Sequence, residues 1–233
     1  MKLNTFSIVA RCSRTGELGV AVSTKVPGVG GLCPFARAGV GAVATQAWVN
    51  PYLGPRILDA LATGLSAERA LHREVDAETD REIRQLGVVD TRGGSAAFTG
   101  SETDPWKGHR SGRDYSVQGN MLVGAETVAA MEDAFLASAA EPLVERLMLA
   151  LEAGQMAGGD RRGRQSAALL VHGEEDYPLA DLRVDEHADP VAELRRVLEV
   201  AKRELFPFVV ALPTKRNPRG DFAAVRAAIA PRS

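Results

Sequence analysis

Short stretches of the chain hold apolar residues that alternate with polar ones or run together. Longer stretches repeat apolar residues every three to four positions. The short stretches read as strands. Phe6-Ser7-Ile8-Val9-Ala10 is rich in β-branched and aromatic residues, Arg14-Thr15-Gly16-Glu17 is a hairpin turn, and Leu18–Thr24 is the return strand. Pro27-Gly28-Val29-Gly30-Gly31 is a flexible loop, followed by strands at 32–37 and 40–48 with Ala38-Gly39 between them. Pro51 and Pro55 end that pattern. Ile57, Leu58, Leu61 and Leu65 share one helical face, Gly64 stops the run, and Ser66 caps a second helix carrying Ala70, Leu71 and Val75. Residues 85–90 and 96–98, joined at Arg92-Gly93-Gly94, form another hairpin. A polar loop through Trp106, Gly108 and His109 leads to a strand at 115–122.

The second half repeats the scheme. A helix over 125–139 places Val128, Met131 and Phe135 at helical spacing, and Pro142 opens a helix that Gly154 ends. Residues 165–172 and 181–185 form a third hairpin. Asp189-Pro190 caps a last helix to about 205, with Val191, Leu194, Leu198 and Ala201 inward. From Pro207 the chain is Pro-containing and basic, with five Lys/Arg against one Asp after Pro213. It reads as a mostly extended tail with a short helix at 222–229. Hairpins pair antiparallel, and amphipathic helix pairs between hairpins must cover sheet faces. The expected fold is therefore α+β: a four-layer αββα sandwich, two stacked antiparallel sheets between helical layers. The body spans 1–206 and the tail 207–233.

Composition narrows the function classes. The 233 residues are 45% apolar and 25% charged, with 28 Lys+Arg against 30 Asp+Glu and a net charge of −2. This balance argues against a nucleic acid or an anionic membrane as partner. No stretch resembles a signal peptide or membrane span. Two cysteines, Cys12 and Cys33, are too few for a disulfide framework, which points to a reduced cytoplasmic setting.

Candidate chemistry is sparse. Gly39-Val40-Gly41-Ala42-Val43-Ala44 fits G-x-G-x-x-A, but it runs into an extended segment where a dinucleotide site needs a helix. His72, His109, His172 and His187 have no metal-ligand spacing, so neither a metal nor a cofactor is expected. Trp106, among charges, is either a binding platform or a loop anchor. Gly158-Gly159-Asp160-Arg161-Arg162-Gly163-Arg164-Gln165-Ser166 crowds three arginines round one aspartate. Glycines admit a ligand to the backbone and guanidinium forks bind carboxylate or phosphate, although a solvated loop or a subunit contact would look the same. Thr5, Ser23, Lys25, Gln46, Asn50, Gln118 and Asn120 are polar positions in or beside apolar strands, a distribution that fits a shared pocket.

Six motifs in order resemble the bacterial family called domain of unknown function 1028. They are Thr5-Phe6-Ser7-Ile8-Val9-Ala10-Arg11, 39–48, 84–90, Gln118-Gly119-Asn120, 158–166 and Asp181-Leu182-Arg183-Val184-Asp185, and the likeness covers about residues 5–200. The resemblance implies the N-terminal-nucleophile (Ntn) hydrolase-like superfamily and its αββα fold. In Ntn hydrolases the first residue's hydroxyl or thiol attacks an amide while its own α-amine, with a pKa of about 7.7–8, serves as base. By resemblance Thr5 holds the nucleophile's position on the first strand. Four residues precede it here, so its nitrogen is an amide and cannot take a proton near neutral pH. Where proteasome-like members carry a lysine on the third strand this chain has Arg37, and Lys25 is the substitute.

Two functional readings stay open. In the first, the protein is an Ntn-type amide hydrolase for a small anionic substrate. Thr5 is the nucleophile, tuned by Ser23 and Lys25; Gln118 and Asn120 supply oxyanion donors, Gln46 lines the pocket, and Asp160, Arg161 and Gln165 orient substrate. In the second, the same pocket binds a small ligand without catalysis. Flat helical faces outside a sandwich also lead to the expectation of a homodimer or larger assembly.

Overall fold

A computed structural model describes residues 2–3, 5–223 and 226. In chain order the elements are β1 (Lys2–Leu3), β2 (Thr5–Arg11), β3 (Leu18–Thr24), β4 (Pro34–Arg37), β5 (Gly41–Trp48), α1 (Leu53–Ala62), α2 (Ala67–Asp76), β6 (Arg84–Asp90), β7 (Ser95–Thr99), β8 (Gly108–Gly112) and β9 (Tyr115–Gly119). They continue with α3 (Glu126–Ala137), α4 (Leu143–Met156), β10 (Ser166–His172), β11 (Ala180–Val184), α5 (Pro190–Glu204) and α6 (Phe206–Val209). A six-stranded sheet runs β11-β10-β3-β2-β9-β8, and a five-stranded sheet runs β1-β5-β6-β7 with β4 also on β5. Every strand pair is antiparallel.

Three apolar layers make this a four-layer αββα sandwich, as expected. The two-residue strand period sorts β2 into an outer set, Phe6, Ile8 and Ala10, and an inner set, Thr5, Ser7 and Val9. The outer set packs under α3 and α4 with Met131, Phe135, Leu143 and Leu147. On the far side, Val43, Leu86 and Val88 of the five-stranded sheet pack under α1 and α2 with Leu53, Ile57 and Leu71. Between the sheets lie Val9, Val20, Val22, Ala42, Ala44, Val89 and Ala168. Fully burying each large side chain stabilises the fold by roughly 1.5–3 kcal/mol.

Four details depart from the sequence reading. β8, expected as loop, pairs with β9; as an exposed edge strand of sequence Gly-His-Arg-Ser-Gly it carries no apolar face to announce it. β1 was not expected, and two residues are too few to show a period. Gly154 lies inside α4, because a side chain there would run into Met131 and Phe6. The segment after 207 folds back as α6 and turns, with Asp221 N donating to Ala211 O at 2.8 Å. Its charge decides this: Lys215 pairs with Asp176 at 2.8 Å and Arg216 with Glu174 at 3.0 Å in the acidic turn between β10 and β11. The expected helix at 222–229 lies largely outside the described residues.

Asp90 joins two layers. Its carboxylate accepts from Ala67 N at the start of α2 (2.9 Å), from Arg92 N (2.8 Å) and from Gly94 N (3.0 Å). Ser66 caps α2 alongside it, accepting from Arg69 N at 3.3 Å. Asp90→Ala leaves three donors short of a partner and is expected to cost about 3 kcal/mol in urea denaturation; a loss under about 1 kcal/mol would mean that water replaces the carboxylate.

Candidate functional site

Thr5 is the first residue of β2 and is fully buried. β1 belongs to the five-stranded sheet and β2 to the six-stranded one, so the chain changes sheets directly before Thr5. Register sets Thr5 opposite Thr24, and its hydroxyl donates to Thr24 Oγ1 at 3.2 Å. Thr5 N donates to Asn120 O at 3.3 Å and Thr5 O accepts from Asn120 N at 3.0 Å.

The loop of arginines comes to the same end. Lys25, next to Thr24, donates its backbone N–H to Asp160 Oδ2 at 3.0 Å. Asp160 bridges to Leu122, and Arg161 N donates to Met121 O at 3.1 Å. Arg162 holds the buried Asp160 carboxylate through Nη2 (2.9 Å) and through its own backbone N–H (2.9 Å). Arg164 pairs with Asp189 at 3.0 Å. Arg161 is exposed, and among the described residues its guanidinium has no partner. Gln165 extends the β3–β10 ladder, its N–H donating to Thr24 O at 2.9 Å.

Behind Thr5 the two sheets are tied by carboxamides. Ser7 Oγ donates to Gln46 Oε1 (2.6 Å) and accepts from Gln118 Nε2 (2.7 Å). Gln46 Nε2 and Asn120 Nδ2 both donate to Gln85 Oε1, at 2.8 and 3.0 Å. Gln85 Nε2 in turn donates to Gly119 O (2.8 Å) and Thr99 Oγ1 (3.0 Å). Ser116 Oγ closes the chain on Gln118 Oε1 at 3.0 Å. Burial leaves these amides no water, so each polar atom must find a partner inside. Two non-glycine residues in the left-handed region flank the network: Ala47 (φ 67°) follows Gln46, and Met121 (φ 52°) follows Asn120. Such backbone costs about 1–2 kcal/mol per residue and persists only where neighbours enforce it. Here Ala47 is pinned between Leu3 and Arg84, and Met121 N donates to Asp104 O at 3.0 Å.

Thr5, Asn120, Asp160, Arg161, Gln165 and the Lys25 backbone therefore meet at one end of the sandwich, with Gln46 and Gln118 behind them. Ser23 does not join them. It sits opposite Phe6 on the helix-facing side, where its buried hydroxyl has no hydrogen-bond partner among the described residues. The Lys25 side chain is exposed and runs past Gly163, its ammonium 3.4 Å from Arg164 O. Asn50 belongs to a neighbouring cluster, donating to Glu78 Oε2 at 2.8 Å and accepting from Tyr52 N at 3.1 Å. Ser7, Thr24 and Gln85 are the members missed in the sequence. The signal that revealed Gln46 and Gln118, a polar residue inside an apolar strand, was present in Ser7 and Gln85 as well.

The sequence model of a family of unknown function, DUF1028, matches residues 5–194. The chain belongs to this family. A crystal structure of one member, protein SPO2555 from Silicibacter pomeroyi, is 32% identical, with a TM-score of 0.85 over 94% of this chain and 98% of that one. Anbu (ancestral beta-subunit) from Yersinia bercovieri matches at 12% identity and TM-score 0.42, over 86% of this chain and 96% of that one. Anbu from Hyphomicrobium sp. strain MC1 matches at 11% and 0.40 over the same shares. No curated protein matches the sequence. The αββα layer order agrees with the fold that the family resemblance implies. No helix of the described residues is long and apolar enough to cross a membrane.

Gly87 sits where a side chain would meet Gln118 Oε1 at 2.1 Å. Gly87→Ala therefore pushes Gln118 off Ser7 and is expected to lower stability by about 1–3 kcal/mol, read by thermal melting. Beside β1, burial alone would raise Glu78, but hydrogen bonds from Arg84 and Asn50 outweigh it and hold the carboxyl below its usual range. Arg84 also donates to Trp48 O, fixing the strand that β1 joins. A carboxyl depressed in the folded state adds stability above its unfolded pKa, about 4.3 for glutamate, and loses it as pH falls through the folded value. Glu78→Gln should thus cost stability at pH 7 and little at pH 3, measured by urea midpoints.

Proposed function

We propose that the protein is an amide-bond hydrolase of Ntn type whose nucleophile is Thr5, held inactive while residues precede it. The observation that carries this reading is the position of Thr5. It opens an inner strand of the αββα sandwich at the point where the chain crosses between sheets, and the family match also opens there. With Thr5 as first residue, its α-amine takes the hydroxyl proton as Oγ attacks the substrate carbonyl carbon. The proton then passes to the leaving amine, and water hydrolyses the ester on Thr5. Asn120, paired to Thr5 on both backbone groups, and Gln118 behind it are the side chains offered for the oxyanion. The unpaired Arg161 and the exposed Lys25 supply positive charge for a substrate carboxylate. Asp160, clamped by Arg162, positions their loop, with Gln165 beside it and Gln46 at the back. The same reading has the protein act in the cytoplasm as a homo-oligomer on a small anionic amide, without metal or cofactor.

A second reading, a non-catalytic small-ligand-binding protein, draws on the saturation of Gln46 and Gln118 by their neighbours. Intact mass and a panel of N-acyl amino acids separate the two. A chain beginning at Thr5 should hydrolyse members of the panel at least about 10²-fold faster than the full-length chain, and Thr5→Ala should abolish the gain. Equal rates for the Thr5→Ala chain would overturn the nucleophile assignment and leave the binding reading, or a different catalytic site, ahead.

A further inference from the structure

The Thr5 hydroxyl ends on a second hydroxyl. Thr5 Oγ1 donates to Thr24 Oγ1 at 3.2 Å, and both residues are fully buried. Strand alternation makes this pair. Val20, Val22 and Thr24 share one face of β3, and the two valines pack in the apolar layer between the sheets. Thr24 therefore stands where that face uses valine, with a hydroxyl in place of one methyl. Its neighbours in the chain cannot take its part: Ser23 faces the helices, and the Lys25 side chain runs out past Gly163.

Both neighbouring strands hold Thr24. It pairs with Thr5 of β2 and with Ser166 of β10. Its carbonyl accepts from Gln165 N at 2.9 Å, and the next N–H, that of Lys25, donates to Asp160 Oδ2 at 3.0 Å. Arg162 in turn clamps that carboxylate at 2.9 Å. The Thr24 side chain is β-branched, so a fixed backbone leaves it little freedom at χ1.

A hydroxyl both accepts and donates, and changes role by rotating its hydrogen. While Thr5 carries its proton, Thr24 accepts it. In the reaction proposed above, the α-amine takes that proton as Thr5 Oγ1 bonds to the carbonyl carbon, and negative charge builds on the oxygen. Thr24 is then placed to donate. A hydrogen bond onto a charged oxygen is about twice as strong as one onto a neutral oxygen. The contact therefore strengthens as the reaction proceeds, which is the condition for lowering a barrier.

We propose that Thr24 is a further catalytic residue, whose hydroxyl donates to Thr5 Oγ1 while that oxygen carries negative charge. It acts on attack, and again when water expels the oxygen from the ester and the α-ammonium returns the proton to it. The Thr24 proton stays on its own oxygen throughout. The proposal rests on Thr5 as nucleophile and adds the group that stabilises its oxygen.

The test is the rate at which phenylmethylsulfonyl fluoride labels a chain beginning at Thr5, with the full-length chain alongside and thermal melts showing that each is folded. The probe needs no knowledge of the natural substrate: Thr5 Oγ1 bonds to sulfur, fluoride leaves and the α-amine takes the proton. Label is read by intact mass and mapped to Thr5 as an alkali-labile ester. Thr24→Val keeps the shape and removes the hydroxyl, and should slow labelling about tenfold or more. Its pH profile should keep the midpoint set by the α-amine while the plateau falls. Thr24→Ser keeps the hydroxyl and loses the methyl, and should retain most of the rate; a packing role would reverse that order. If Thr24→Val fails to fold, Thr24→Ala is measured in its place. Full-speed labelling of the variant without the hydroxyl, or Thr24→Ser slowed as much as that variant, would overturn the proposal and leave Thr5 as nucleophile. No labelling of Thr5 in the chain that begins with it would overturn both.

Discussion

The two sheets are joined by a chain of buried amides. Ser7, Gln46, Gln85, Gln118 and Asn120 come from both sheets, and each donor finds an acceptor in the inter-sheet layer. Removing one member strands the others in a site without water, which costs more than the bond itself contributes. The network therefore fixes the register between the sheets, where apolar contacts alone would tolerate a shift. Small residues make it possible: Ala42 and Ala44 let the sheets approach, and Gly87 leaves room for the Gln118 amide. The Thr5 end inherits its geometry from this layer.

Thr5 stands at the junction of structure and chemistry. Its backbone is locked to Asn120 and its hydroxyl to Thr24, while β1 crosses to the other sheet beside Ala47. The strained backbone at Ala47 and Met121 brackets this junction, which is where a fold concentrates cost when position matters more than stability. The arginine loop adds positive charge at the rim while its one buried acid, Asp160, is neutralised by Arg162.

The far end follows a different logic. Its turns are rich in glycine and acid, and the basic C-terminal segment lies over them, held by Lys215, Arg216 and the bond from the Tyr177 hydroxyl to Pro213 O. The two ends thus hold charge differently: near Thr5 a guanidinium clamps a buried carboxylate, and at the far end exposed turn acids pair with the C-terminal segment.

The αββα layering was legible in the sequence because periodicity is a local property: Phe6, Ile8 and Ala10 against Val9, or Leu194 and Leu198 on one helical face, report burial directly. The hairpin turn at Arg14 to Glu17 and the Ser66 cap were legible for the same reason. The edge strand β8 was not, since an exposed strand needs no apolar pattern. Pairings across the fold were not legible either. A sequence shows that Ser23 and Thr24 are both polar strand residues; only the register with β2 shows that Thr24 faces Thr5 while Ser23 faces the helices. The sequence by itself determined the layers and marked Thr5, Asn120 and Asp160 as polar residues out of place. The tertiary structure alone decided which of them meet, because strand register and sheet stacking are set by packing between segments more than a hundred residues apart.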